Sequence, residues 1–128
     1  MLNRREGEKE KIMNSVELKC NVLGRTNLFG NLSEKARTKI AQIALSKSFP
    51  KKGVLFTEEE KGLAVYILVS GSVQLVKQGS ERDVVIKVVQ PGELFGEVIL
   101  FEKDYYPVTA EALNDCTVYL ISKPQFLC

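Results

Sequence analysis

The stretch AVYILVSGSVQLVKQGSERDVVIKVV, residues 64–89, decides the fold class that this sequence predicts. Its first two segments are rich in β-forming residues, and Ser70-Gly71 between them indicates a bend or bulge. The loop Gln78–Arg82 contains a glycine, as hairpin loops commonly do, and a third β-forming segment follows over residues 83–89. The stretch therefore predicts three strands in succession.

Further short strands are predicted on both sides of this stretch, at residues 53–56, 108–113 and 116–121. Ahead of them, Ser33 is a good N-cap residue and apolar residues recur at helical spacing, which predicts a helix over residues 33–46. Short, regularly spaced strands behind a helix predict a mainly β fold with flanking helices, an antiparallel β-roll or small barrel.

The two ends of the chain carry weaker signals. Residues 1–25 form a charged segment that could be helical around Ile12–Leu18, and disorder or a loosely docked arm is the expectation there. Near the other end, Ser122 can cap a helix and Pro124 suits its first turn. The sequence stops within that turn, so we expect a truncated C-terminal helix and a chain that is cut short.

Composition limits the class of protein. The chain has 128 residues, 45% of them hydrophobic, and a net charge of +2, which fits one globular domain without a basic surface for DNA or membranes. No segment approaches the roughly 18 apolar residues of a transmembrane helix, and the charged N-terminus is not a secretory signal. Cys20, Cys116 and Cys128 are widely spaced, which argues against disulfides or a zinc site and favours free thiols in the cytoplasm.

The chain contains no histidine. Histidine is the usual general base and a common ligand of zinc and haem, so its absence removes catalysis by serine–histidine or cysteine–histidine pairs and ligation of haem by histidine. The sequence therefore predicts a protein that is not an enzyme.

A candidate ligand site lies at FGEVIL, residues 95–100. Gly96 allows a strained turn or a close approach of the backbone to a ligand. The apolar residues Val98–Leu100 predict a short helical turn, whose N-terminal N–H groups favour an anion. Glu97 could accept hydrogen bonds from hydroxyl groups of a ligand.

Several segments in order resemble the cyclic nucleotide-binding domains of the Crp/Fnr transcription regulators, protein kinase A regulatory subunits and nucleotide-gated channels. They are LFGNLS (28–33), VYILVSGSVQL (65–75), VVQPGELFGE (88–97) and VTAEALNDCTVYLIS (108–122). The resemblance implies a jelly-roll-like β-roll sensor domain over residues 26–128, with an N-terminal helix and a C-terminal helix pair.

The phosphate-binding cassette of that family is matched only in its first part. Its glycine and glutamate correspond to Gly96 and Glu97, and the glutamate usually contacts the ribose 2′-hydroxyl. The turn that offers amide groups to the phosphate corresponds to Val98-Ile99-Leu100, where bulkier Val98 or Ile99 replaces the usual small residue.

The second part of the cassette departs from the family. Its phosphate-binding arginine and the following small residue fall at Tyr106 and Pro107, directly before Val108. A charge-assisted contact contributes about 1.5–3 kcal/mol, and Pro107 also removes a backbone N–H, so losing both predicts binding of cyclic AMP that is weaker by roughly ten- to a hundredfold or more. The cations considered as substitutes, Arg82 and Lys103, lie on predicted loops.

A Tyr-Pro pair at this place resembles Crp/Fnr members that do not use cyclic AMP but sense oxygen, nitric oxide, carbon monoxide, redox state or small organic molecules. The iron–sulfur type needs four cysteines, mostly near the N-terminus, where only Cys20 stands. A haem held by cysteine or tyrosine, or a small aromatic ligand, stays open.

Three functions are therefore compared. The first is the effector-sensing domain of a Crp/Fnr-type regulator, a homodimer when full length that binds DNA through a domain outside these residues and has no membrane partner. The second is a cyclic nucleotide-binding module of a kinase, a channel or a stand-alone protein. The third, an enzyme on a cupin-like β-roll, is disfavoured because cupin metal sites rest largely on histidines.

Overall fold

The computed structural model describes residues 16–26, 30–100 and 102–123. The chain divides into two compact units, Met1–Ala44 and Leu45–Cys128, and each is described by itself. The predicted domain boundary between residues 25 and 26 stays a prediction.

Among the described residues of the first unit, residues 16–24 are helical and are called α1, and a second helix, α2, spans Glu34–Ile43. Ser33 caps α2 as predicted, since its hydroxyl accepts a hydrogen bond from the Ala36 N–H at 3.2 Å. The expectation of disorder is wrong for residues 16–24, which are helical and include the buried side chain of Leu23.

The predicted helix over residues 33–46 is too long at its end. Ala44 has extended backbone angles, φ −69° and ψ 131°, and closes α2 with its N–H on the Ile40 carbonyl. The lead-in residues Leu28 and Phe29, which contributed to the resemblance, lie outside the described residues.

The described residues of the second unit form eight strands and one 3₁₀ helix, Glu97–Leu100, which lies between the sixth and seventh strands. The strands are β1 Leu45–Phe49, β2 Val54–Phe56, β3 Ala64–Ser70, β4 Val73–Lys77, β5 Val84–Val89, β6 Leu94–Phe95, β7 Thr109–Ala112 and β8 Cys116–Ser122. They form two antiparallel sheets, ordered β1-β8-β3-β6 and β2-β7-β4-β5. Within the described residues these sheets do not close into a barrel, so the roll was the correct alternative.

The opening stretch folds as predicted. β3 pairs with β8, and the register shifts between Leu68 and Ser70, where the bulge was expected. Gly71 follows with φ +87°, and a Cβ there would lie 2.6 Å from the Asp115 carbonyl oxygen, so glycine is required. β4 and β5 form the predicted hairpin around residues 78–82.

The helix prediction is wrong at residues 45 and 46, which belong to strand β1. β1 pairs with β8 from Leu45 opposite Leu120 to Phe49 opposite Cys116. Its first four side chains are exposed, so the strand forms through backbone pairing rather than through a buried apolar face.

At the other end, Ser122 is the last residue of β8. The predicted C-terminal helix falls largely on residues 124–128, which include Pro124 and lie outside the described residues.

The core of the second unit lies among residues of both sheets. Fully buried side chains come from β3, β4, β6 and β8, and include Val65, Leu68, Val73, Phe95 and Val118. Burying each such side chain contributes roughly 1.5–3 kcal/mol, which makes the core the main source of stability. The 3₁₀ helix and the candidate site are attached to this core through Ile99, which is 1% exposed.

Candidate ligand site

Gly96 directly follows β6 and has a φ of +77°, a backbone conformation that favours glycine. A Cβ at this position would lie 3.3 Å from Cε1 of Tyr106 and 3.5 Å from Cε2 of Phe56. The strained turn expected of this glycine is therefore present, with two aromatic rings of the protein nearest to it, and a close approach to a ligand stays a prediction.

The predicted apolar turn is the 3₁₀ helix Glu97–Leu100. Ile99 is buried against Gly62, because a Cβ on that glycine would fall only 2.2 Å from Cγ2 of Ile99. Val98 and Leu100 are half-buried and pack against the core, whereas the side chain of Glu97 is exposed to solvent. The bulky residues of the turn thus serve core packing, and the part that Glu97 plays towards a ligand stays a prediction.

Tyr106 lies in the core and is only 2% exposed. Its hydroxyl donates to the Ala64 carbonyl oxygen at 2.6 Å and accepts from the Ala64 N–H at 3.1 Å. Its backbone N–H donates to Glu60 O at 3.0 Å, and its carbonyl oxygen accepts from the Glu59 N–H at 2.7 Å. The single O–H donor of this phenol is therefore already used by the Ala64 carbonyl oxygen.

The ring of Tyr106 belongs to an aromatic cluster. It stacks on Phe56 with 3.8 Å between ring centroids and an interplanar angle of 16°. Phe56 also lies 5.5 Å from Tyr66 and 6.2 Å from Phe95, between ring centroids. Burial raises the pKa of both tyrosines, so the phenols are neutral and the cluster carries no charge that could hold an anion.

Pro107 and Val108 are half-buried beside this cluster. The Pro107 carbonyl oxygen accepts a hydrogen bond from Nζ of Lys77 at 3.2 Å, and the same ammonium group forms an ion pair with Glu58. That hydrogen-bonded pair lowers the pKa of Glu58 and raises the pKa of Lys77. Sequence reasoning missed Lys77 because only the pairing of β4 with β7 brings it to this place.

The two cations that the sequence suggested, Lys103 and Arg82, lie at the surface. Lys103 donates to the hydroxyl of Tyr105 at 3.4 Å on the surface, and Arg82 is exposed in the loop between β4 and β5. The structure therefore brings Gly96, Ile99 and Tyr106 together in the core, and leaves Glu97 at the surface. Phe101, in the middle of the cassette, lies outside the described residues.

Other kinds of site find little support in the described part of the chain. No group of three or more acidic, cysteine or histidine side chains there could hold a metal ion. Cys116 is buried and Cys20 is half-buried, both as free thiols, and Cys128 lies outside the described residues. None of the described helices has the length and apolar character needed to cross a bilayer.

The chain belongs to the family of cyclic nucleotide-binding domains, whose family model matches residues 46–127. It is 26% identical over 102 residues to the CRP-like cAMP-activated global transcriptional regulator of Mycobacterium tuberculosis, which covers 79% of this chain and 45% of that protein. It is 31% identical over 110 residues to cGMP-dependent protein kinase 2 of Homo sapiens, which covers 83% of this chain and 14% of that protein. The chain thus spans less than half the length of these curated relatives.

Among solved structures, the regulatory domain of Toxoplasma gondii PKA in complex with cAMP has a TM-score of 0.85 and 25% identity, over 89% of this chain and 44% of that chain. This likeness and the two antiparallel sheets confirm the predicted β-roll. The family match confirms the resemblance drawn from the sequence segments.

Proposed function

We propose that this chain is the effector-sensing domain of a Crp/Fnr-type transcription regulator and that it does not bind cyclic AMP strongly. The observation that supports the proposal is the burial of Tyr106, the residue that the ungapped sequence comparison sets against the family's phosphate-binding arginine. Its ring is stacked on Phe56 and its hydroxyl is bonded to Ala64. A neutral side chain held in this way cannot balance the charge of a cyclic phosphate.

Electrostatics of the surrounding residues support the same conclusion. Among the described residues, no lysine or arginine side chain is buried. Lys77 does contact the carbonyl oxygen of Pro107, but it is already paired with Glu58. A buried phosphate would need a cation or several N–H donors to offset the loss of its hydration. We therefore infer an effector that is a small molecule other than a cyclic nucleotide, with Glu97 as its acceptor for hydroxyl or N–H groups.

The proposal extends to the partners of the whole protein. Effector binding would regulate DNA binding by a separate domain, and the full-length protein would act as a cytoplasmic homodimer without catalytic activity. The similarity to a mycobacterial CRP-like regulator supports this extension.

A regulatory module of a kinase, a channel or a stand-alone protein is the alternative, and the 31% identity to cGMP-dependent protein kinase 2 favours it. The coding sequence downstream of residue 128 separates the two. A helix-turn-helix would support the regulator, and a kinase or channel segment would support the alternative.

Calorimetric titration with cyclic AMP and cyclic GMP tests the central claim. We expect no binding at micromolar ligand concentrations, and micromolar affinity would refute the proposal. The double variant Tyr106→Arg with Pro107→Ser restores the family pattern, and we expect it to bind roughly ten- to a hundredfold more tightly than the natural chain.

A matched control is the neighbouring Tyr105→Arg. Tyr105 is 42% exposed, so this variant adds the same cation one residue away and outside the core. Equal gains in cyclic nucleotide affinity in both variants would indicate a general effect of the added positive charge. A folded double variant with no gain would show that the cassette is misplaced or that Glu97 does not face the ligand.

A further inference from the structure

β5 forms one edge of its sheet, and its apolar side chains are exposed. The order β2-β7-β4-β5 leaves the outer side of Val84–Val89 without a neighbouring strand among the described residues. Val84 and Val85 are each 52% exposed and Ile86 is 59% exposed. An exposed apolar edge strand is a template for pairing with another strand. Pairing satisfies the hydrogen-bonding groups of its outer backbone and buries its apolar side chains at the same time.

Charges near the two ends of this strand indicate which partner fits. Asp83 directly precedes β5, and Lys87 lies within it. When two copies of β5 run antiparallel and are aligned at Val85, each Asp83 lies opposite the partner's Lys87. Opposite charges in this position stabilise a strand pair, and twofold symmetry provides the contact twice.

The same alignment also places apolar side chains opposite one another. Val84 lies opposite the partner's Ile86, and Val85 lies opposite the partner's Val85. Centring the pair on Ile86 instead would place Lys87 opposite the partner's Val85 and would lose both charge pairs. The sequence of β5 is therefore complementary to itself in one particular register.

We propose that two copies of this chain associate edge to edge through β5, antiparallel and aligned at Val85, so that the sheet continues across a twofold axis. Such an interface uses the same edge on both copies and closes at the dimer. In the single chain Lys87 contacts Glu93 at 2.6 Å, and this exposed pair contributes little, so Lys87 can exchange partners at small cost. The proposal does not depend on which effector the domain binds.

The β4–β5 ladder is irregular at the centre of the proposed interface. The register shifts between Leu75 and Val76, which adds a residue to β5 at Ile86. Bulges of this kind increase local twist and oppose flat, regular pairing of an edge, so a partner strand must follow the bend at Ile86. The two charge pairs between Asp83 and Lys87 lie on either side of this bulge and set the register between the two copies.

Sedimentation velocity over a concentration series that reaches the high micromolar range tests this proposal. We expect a reversible dimer whose population rises with concentration. Val85→Lys places two like charges at the twofold axis and is expected to raise the dimer dissociation constant at least about tenfold. The matched control is Val54→Lys in β2, an exposed valine on the opposite edge of the same sheet, which is expected to leave the dimer unchanged.

A charge exchange tests the register itself. Asp83→Lys alone and Lys87→Asp alone are each expected to weaken the dimer, and the two together are expected to restore it. Circular dichroism verifies that each variant is folded. A monomer at every concentration, a dimer equally sensitive to Val54→Lys, or an edge occupied only by a different protein would each overturn the proposal.

Discussion

Replacing Tyr106 by phenylalanine removes one oxygen atom from the core, and we expect a loss of about 2–3 kcal/mol in the free energy of unfolding. That oxygen bonds the carbonyl group and the N–H group of Ala64 at 2.6 and 3.1 Å. A neutral hydrogen bond contributes roughly 1 kcal/mol net, and a buried polar group left without a partner costs about 1–3 kcal/mol. The ring and its stacking on Phe56 remain, so no large cavity adds to the loss.

Urea unfolding followed by circular dichroism measures this loss, with comparison of both the midpoint and the slope. Tyr105→Phe makes the same chemical change at an exposed position, where we expect a change within about 0.5 kcal/mol. Equal losses in the two variants, or a loss below about 0.5 kcal/mol for Tyr106→Phe, would refute the assigned role of the hydroxyl.

Two further predictions concern the residues around the site. Gly62→Ala should cost about 1–3 kcal/mol, because its Cβ would fall 2.2 Å from Cγ2 of Ile99. The same urea assay on Gly62→Ala with Ile99→Ala should show a loss smaller than the sum of the single variants, and strict additivity would contradict the contact. The pKa of Glu58 is lowered from 4.5, first by its hydrogen bond from Lys77, so its contribution to stability is complete above pH 4.5 and is lost as the pH falls through the lowered value. Glu58→Gln should therefore reduce the acid-induced fall of the urea midpoint, and an unchanged pH profile would argue against the pair.

The fold was predictable where the pattern of side chains alone determines an element. The strands of residues 64–89 are rich in β-branched residues, and their glycines mark the bend and the hairpin loop. β1 was missed because its serines and lysine resemble the end of an amphipathic helix. Its strand conformation depends on β8, whose sequence lies far along the chain, and no local pattern indicates that partner.

The candidate site shows the same division. Gly96 and the turn after it could be predicted because backbone conformation there depends on adjacent residues. The position of Tyr106 could not, because its hydrogen-bond partner Ala64 precedes it by 42 residues. Lys77 was missed for the same reason, since it reaches Pro107 only through the pairing of two strands.

The contacts of Tyr106 also bear on the evolution of this lineage. On the proposed alignment, the position that binds the ligand elsewhere in the family here holds a side chain that contributes to the stability of the fold. A single reversion to arginine would remove the bonds to Ala64 and place a charge beside Phe56 before any ligand could compensate. Because natural proteins lie only slightly above the stability that they need, such a reversion would be selected against until other substitutions preceded it. On that alignment, the packing of Tyr106 would itself oppose a return to cyclic nucleotide recognition.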